Sequence, residues 1–397
     1  MQLFDTATGA VTPLIPRDGR VGMYVCGITP YDGGHLGHAF TYHTFDVIAR
    51  RLRSLGVTVR NVRNITDVDD DILRVARARG LGYRELGDAQ VERFDRDMAD
   101  INLLPLDAEP RATARVPEMV AWVERLVAAG AAYPNEGWVY FDVAAHPGYG
   151  ALSGLDTGAM VELSRQRGAD PDDPRKRNPL DFVLWQPSLP DEPRWASPWS
   201  AGRPGWHIEC TVLSAAELSL PIDIHGGGDD LIFPHHESEI AQAEAAGVQP
   251  YVRHWVHVAM VRYQGEKMSK SLGNLVFVRE LLDQGVAAAT IRLLLASHHH
   301  RTSWEYSDKD LLRARRRADS YAALVEPAAT VDAERAGAVT AAYLARVDDD
   351  LDLPGALAVL DEAARELPGA ASTAGAVRAA DVFSPLLDLL GASSAPV

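Results

Sequence analysis

Apolar positions along the chain form continuous runs near the start and fall at helical spacing further on. VGMYVCGIT, from Val21 to Thr29, is mostly apolar and is closed by Gly27 and Pro30, as a buried strand would be. In AFTYHTFDVIARRLRSLG the apolar and aromatic residues recur at helical spacing, and Gly56 stands where a helix would be capped. VTVRNVRNIT is a second β-branched run. Strand, loop, helix, strand predicts a βαβ unit, hence a parallel sheet with a ligand site at the carboxyl ends of its strands. In such a unit Cys26, His35 and His38 sit at the lip of that site, beside a helix N-terminus.

From about Arg74 to Leu126 the pattern is helical and rich in Ala, Arg and Glu. From Pro134 to Gly205 it loosens, with many of the prolines, several tryptophans and the polar, turn-rich RQRGADPDDPRKRNP. This stretch is expected to be part of an insertion over the site, an inserted subdomain of about residues 100–205. The parallel-sheet pattern resumes at PIDIHGGGDDL and runs through YVRHWVHVAMV. Residues 1–300 therefore make one α/β catalytic unit, and the Ala/Leu/Arg/Asp-rich helical pattern of residues 301–397 predicts a separate bundle with a weak tail, GASSAPV.

Composition narrows the class. The 397 residues suffice for two or three packed units, and an apolar content of 47% is too high for a disordered chain. No apolar stretch nears the roughly 18 residues needed to span a bilayer, and MQLFDTATGAV lacks the pattern of a secretory signal. Two cysteines make no disulfide framework, so a reduced, cytoplasmic protein is expected. A net charge of -16 argues against broad nucleic-acid binding. The run from Arg313 to Arg317 is locally basic, and a solvated helix face explains it more simply. A monomer is expected, since no exposed apolar helix stripe stands out.

Three groups of residues carry candidate chemistry. In HLGH, His35 and His38 share one face of a helix start, where free N–H groups and two imidazoles suit phosphate oxygens. In GEKMSKSLGN, Lys267 and Lys270 lie on a glycine-closed loop able to fold over a triphosphate and neutralise departing pyrophosphate. Together they suggest attack of a carboxylate on the α-phosphate of ATP, with magnesium expected on the nucleotide. Cys26, Cys210, His235 and Glu239 would give zinc two thiolates, one imidazole and one carboxylate, with His235 and Glu239 at i and i+4 of a predicted helix. Two buried cysteines acting as small hydrophobes beside an ordinary His/Glu pair is the competing explanation. Zinc beside an adenylate-forming site would select cysteine, whose thiol ionises on the metal while serine's hydroxyl binds poorly. The substrate sulfur would then displace a weak ligand, with Glu239 the first expected to yield, or make the ion five-coordinate.

MYVCGITPYDGGHLGHAFTYHTFD, RNITDVDDDI, GRPGWHIEC, DIHGGGDDLIFPHHE and GEKMSKSLGN, in order from Met23 to Asn274, resemble the cysteine-activating class I synthetase group. That group includes cysteinyl-tRNA synthetases and the ligase that joins cysteine to the amine of glucosaminyl-inositol in mycothiol synthesis. The resemblance implies a Rossmann-type parallel-sheet core with an insertion, followed by an all-α bundle. It implies zinc at Cys26, Cys210 and His235, and cysteinyl adenylate as intermediate. By motif match the adenylate would meet Gly27, Ile28, Thr29, Thr41, Asn64, Ile65, Thr66, Trp206, Gly228, Asp229, Asp230 and Val261.

The acceptor divides the group. An early end to the helical tail, Phe40 in place of the synthetases' usual arginine, and QRGADP (Gln166 to Pro171) resemble the amino-sugar ligase. Glu239 and LLPLDAEPRATARVPEM resemble the tRNA synthetases. The amino-sugar is the first expectation. A shortened cysteine–tRNA ligase, a relative with another acceptor and an inactive cysteine or nucleotide sensor are the alternatives. Asp46, His207, Glu209 and Asp230 are candidate bases for an amine acceptor, and Asp69, Asp70 and Asp71 are expected to start a helix.

Overall fold

The computed structural model describes residues 1–268, 272–327, 329–366 and 376–393. A short hairpin, β1 (Gln2–Asp5) and β2 (Ala10–Pro13), precedes the first long strand, β3 (Arg20–Ile28). Helix α1 (Leu36–Ser54) follows and ends as expected: Gly56 takes a left-handed φ of 79°, and its N–H donates to the Arg53 carbonyl. Strand β4 (Thr58–Ile65) then lies parallel to β3, completing the anticipated βαβ unit. Helices α2 (Asp70–Arg79), α3 (Tyr83–Asp100) and α4 (Val116–Ala128) come next, and Asp69 caps α2 by accepting from Ile72 N–H.

The loose-patterned middle is more ordered than its composition suggested. It holds a four-stranded antiparallel sheet, β5 (Ala132–Asn135), β6 (Trp138–Phe141), β7 (Phe182–Pro187) and β8 (Gly202–Pro204), with α5 (Thr157–Gln166) between β6 and β7. The strands are short and their prolines lie at or near ends, so neither length nor alternation marks them in the sequence. Helix α6 (Trp206–Glu217) leads back to β9 (Ile224–Gly228), α7 (Glu237–Ala245) and β10 (Trp255–Val258). The main sheet is parallel throughout, in the order β10-β9-β3-β4.

This sheet separates two cores because side chains alternate along a strand. Val21, Met23 and Val25 of β3 face α1 and the C-terminal helices, while Tyr24 and Cys26 face α4, α6 and the inserted sheet. The C-terminal part packs into the first of these cores rather than standing apart. Strands β11 (Val261–Tyr263) and β12 (Glu266–Lys267) precede α8 (Val278–Asp283), α9 (Ala288–Ala296) and β13 (Trp304–Glu305), and β13 pairs parallel with β11. Then come α10 (Asp308–Leu324), β14 (Thr330–Asp332), α11 (Ala333–Val347), α12 (Leu353–Glu366), β15 (Ala376–Arg378) and α13 (Ala379–Leu389). Arg313 and Arg317 of the basic run on α10 pair with Asp310 of the same helix and Asp361 of α12, so half of the run's charge is balanced within the protein. No helix among the described residues is long and apolar enough to cross a membrane.

Asp46, a candidate base by sequence, is structural. Its carboxylate takes Arg50 Nε at 2.8 Å and the fully buried Arg292, and accepts from Leu104 N–H at 2.9 Å. The two arginines in turn bind the Asp388 and Leu390 carbonyls at the end of α13. The knot ties α1, α9 and the C-terminus together and leaves Asp46 no access to the cleft. Asp46→Asn should leave Arg292 buried without a full counter-charge and cost about 3–5 kcal/mol of stability, measured by urea unfolding.

Candidate active site

A cleft of about 1340 Å³ opens at the carboxyl ends of β3, β9 and β10, bordered by Gly27, Ile28 and Thr29 on one strand and Gly228 on another. Close backbone approach shapes it. A Cβ on Gly27 would lie 1.5 Å from the Asn64 carbonyl oxygen, so only glycine lets β3 pass β4 there. Asn64 spends its side chain in the same place: its Oδ1 accepts from Gly27 N–H at 2.8 Å.

At the inner end of the cleft the four proposed ligands converge. Ligand atoms of Cys26, Cys210, His235 and Glu239, all buried, lie within 4.8 Å of one another. Cys26 Sγ is 3.7 Å from Cys210 Sγ and 3.7 Å from Glu239 Oε1, and His235 Nε2 is 3.2 Å from that oxygen. A tetrahedral zinc site with bonds of about 2.3 Å to sulfur and about 2.0 Å to nitrogen or oxygen has donor–donor edges of about 3.3 to 3.8 Å. The donor set and its spacing fit that ion. Burial pushes the Cys26 thiol and the Glu239 carboxyl well up, so a bound cation is what would favour their ionised, ligating forms, while burial holds His235 well down, in the neutral form that ligates.

Outer partners fix each ligand's direction. His235 Nδ1 shares a 2.9 Å hydrogen bond with His207 Nδ1, leaving Nε2 to face the cluster. Glu239 Oε2 is held by His225 Nε2 at 2.9 Å and by the Tyr251 hydroxyl at 3.1 Å, and Tyr251 is itself bonded to Ser214 at 2.6 Å. A carboxylate anchored at one oxygen is poorly placed to swing away. This runs against the expectation that Glu239 yields first. His225 and Tyr251 were not singled out by sequence; the only cue was His225 opening the glycine run after β9's apolar start.

His35 and His38 border the cleft with rings stacked 3.8 Å apart, and His35 caps α1, its Nδ1 accepting from Gly37 N–H at 3.1 Å. The segment after the lysine loop is stitched to them: Leu36 N–H donates to the Val276 carbonyl and Val278 N–H to that of Gly34. Lys267 borders the cleft, with Nζ 2.7 Å from Asp230 Oδ2. Arg167 reaches the same oxygen at 3.3 Å. Burial would raise Asp230, but these two cations outweigh it and hold its carboxyl below the ordinary range. Burial and the neighbouring Asp230 charge push Asp229 up to about 6. Lys270 and Ser271 lie outside the described residues.

Thr41, Trp206, Asp230 and Val261 also border the cleft, and Trp206 stacks on His235 at 4.3 Å. Asn64, Ile65 and Thr66 are buried and do not line it, and Asp229 does not line it either. The strand end they occupy is spent on holding Gly27 and Ile28 in place, since Thr66 N–H donates to the Ile28 carbonyl. Of the remaining candidate bases, His207 borders the cleft and burial drives it down to about 3, whereas Glu209 is fully buried away from it.

A parallel sheet whose strand ends carry HLGH and a signature lysine defines a class I synthetase catalytic domain. Residues 14–316 match the family described as tRNA synthetases class I (C) catalytic domain, and the chain belongs to that family. It is 47% identical over 367 residues to the L-cysteine:1D-myo-inositol 2-amino-2-deoxy-alpha-D-glucopyranoside ligase of Thermobifida fusca, covering 91% of this chain and 87% of that one. The ligase of the same name from Thermomonospora curvata is 43% identical over 392 residues, covering 98% and 94%. Among solved structures, Mycobacterium tuberculosis methionyl-tRNA synthetase bound by methionyl-adenylate superimposes with a TM-score of 0.65 at 17% identity, covering 94% of this chain and 89% of that one. That likeness speaks for the fold.

Cys210→Ala should abolish retention of a divalent metal that the parent protein carries through gel filtration. Elemental analysis checks this, with zinc the metal expected.

Proposed function

We propose that this chain is an ATP-dependent ligase that activates L-cysteine as cysteinyl adenylate and passes it to the amine of a glucosaminyl-inositol. The single observation that carries the choice of amino acid is the convergence of Cys26, Cys210, His235 and Glu239 at the inner end of the cleft. Zinc held there would bind the substrate sulfur as thiolate, a bond that serine and alanine cannot match. The acceptor rests on the relatives: ligases named for the amino-sugar are 43% to 47% identical, and this chain covers 87% to 94% of their length. Phe40 and QRGADP agree with that branch.

The chain's own residues supply the rest of the first half-reaction. The stacked His35 and His38 at the start of α1 donate to phosphate oxygens, aided by the positive end of that helix's dipole. Lys267 must leave Asp230 to meet the pyrophosphate as it departs, and Lys270 is assigned the same task. Trp206, flat against His235, forms a floor beside the bound cysteine. Gly27, Ile28, Thr29, Thr41, Gly228, Asp230 and Val261 are assigned to the adenylate, with Asn64, Ile65, Thr66 and Asp229 supporting them from behind.

Lys267→Ala should lower cysteine-dependent ATP–pyrophosphate exchange about 100- to 1000-fold, the scale of losing one charge-stabilising donor. Parallel assays with glucosaminyl-inositol and with tRNA test the acceptor. Cysteine transfer to the amino-sugar and none to tRNA is the expected result, and charged tRNA with an inert amino-sugar would reverse the assignment.

A further inference from the structure

The cleft is larger than the adenylate needs: about 1340 Å³, against the roughly 300–1000 Å³ of a pocket for one drug-sized ligand. The additional wall comes from the insertion. It begins at the metal cluster, where His207 packs edge-on against Phe182 of β7, with centroids 5.5 Å apart. In the next register position Val183 lies opposite Tyr140 of β6, and Trp138 stands two residues along on the same face as Tyr140. Phe182, Val183, Trp138, Arg175 and Lys176 all border the one cleft, which therefore runs from the candidate metal ligands out along the insertion.

A prebuilt polar cluster stands at its outer end. Asp173, buried, accepts from the Tyr140 hydroxyl at 2.7 Å and from Arg175 Nε and Nη2 at 2.8 and 2.9 Å. Arg175 in turn lies over the Trp138 ring, 4.1 Å from its centroid. Beside them Lys176 borders the cleft half-buried, with no side-chain hydrogen bond or ion pair among the described residues. Arg175 is neutralised by Asp173, whereas Lys176 offers three donors to something else. The same insertion is tethered to the adenylate end by Arg167 on Asp230.

We infer that Trp138, Arg175 and Lys176 form the subsite for the outer ring of the acceptor, an uncharged polyhydroxylated ring whose hydroxyl oxygens accept from Lys176. This rests on the amino-sugar function proposed for the cleft. The reacting amine must reach the carbonyl beside the metal-held sulfur, so the ring that carries no amine points outward along β6 and β7. Hydroxyls suit a lone cation next to an aromatic edge, and Lys176 is therefore a specificity-determining residue for the second half-reaction only.

Lys176→Ala tests it. KM for glucosaminyl-inositol should rise about 10- to 100-fold, the effect of losing a hydrogen bond from a charged donor, with kcat little changed. Glucosamine without the inositol, used as a second acceptor, should show the same KM in parent and variant. Cysteine-dependent ATP–pyrophosphate exchange, which needs no acceptor, is the control that the variant is folded. Lys176→Arg, which keeps a donor, should recover most of the loss. An unchanged KM for the full acceptor in Lys176→Ala would overturn the inference alone. A parent protein that ignores the amino-sugar would remove the function beneath it and the subsite with it.

Discussion

Side chains on a strand alternate, and on β3 that alternation decides where everything else can go. Val21, Met23 and Val25 point into the core shared with α1 and the C-terminal helices, so Tyr24 and Cys26 point the opposite way. A slip of one residue would bury Val25 where Cys26 belongs and leave Cys210, His235 and Glu239 without their fourth partner. The slip is resisted by the tight pass of Gly27 against Asn64, which admits no other residue. The candidate metal site thus inherits its precision from backbone packing at the residue next to Cys26.

A second constraint is the rationing of charge inside the cleft. Asp230 holds Lys267 from one side and Arg167 from the other, so a single carboxylate links the lysine loop to the insertion. Arrival of a polyphosphate would compete for Lys267 and leave Arg167 as the remaining partner. The two loops are then coupled by electrostatics rather than by direct packing. Asp46 shows the contrasting use of a carboxylate: fully committed to Arg50 and Arg292, it carries stability and no chemistry.

Much was legible before any coordinates. The βαβ opening, the helix start at His35, the return of the parallel sheet near Ile224 and the four metal-ligand candidates all follow from local pattern and residue chemistry. Each depends on neighbours in sequence or on a rare residue type: two cysteines in the whole chain leave few choices. The inserted sheet was not legible, because its strands are only three to six residues long and three of the four carry a proline at or near one end. Nor was the merging of the C-terminal helices with the sheet's core, which depends on which apolar face meets which.

The sequence by itself determined the kinds of side chain on offer: two thiols and an imidazole suited to a metal, paired histidines and lysines suited to phosphate. Only the tertiary structure decided which carboxylate serves which purpose. Asp46, Asp230 and Glu239 are alike in composition, but one is locked between arginines, one is shared by two loops, and one is anchored at Oε2 by His225 and Tyr251 with Oε1 turned to the cluster. A carboxylate's role is set by the charges and donors around it, and those partners range from four residues away, as Arg50 is from Asp46, to 246, as Arg292 is.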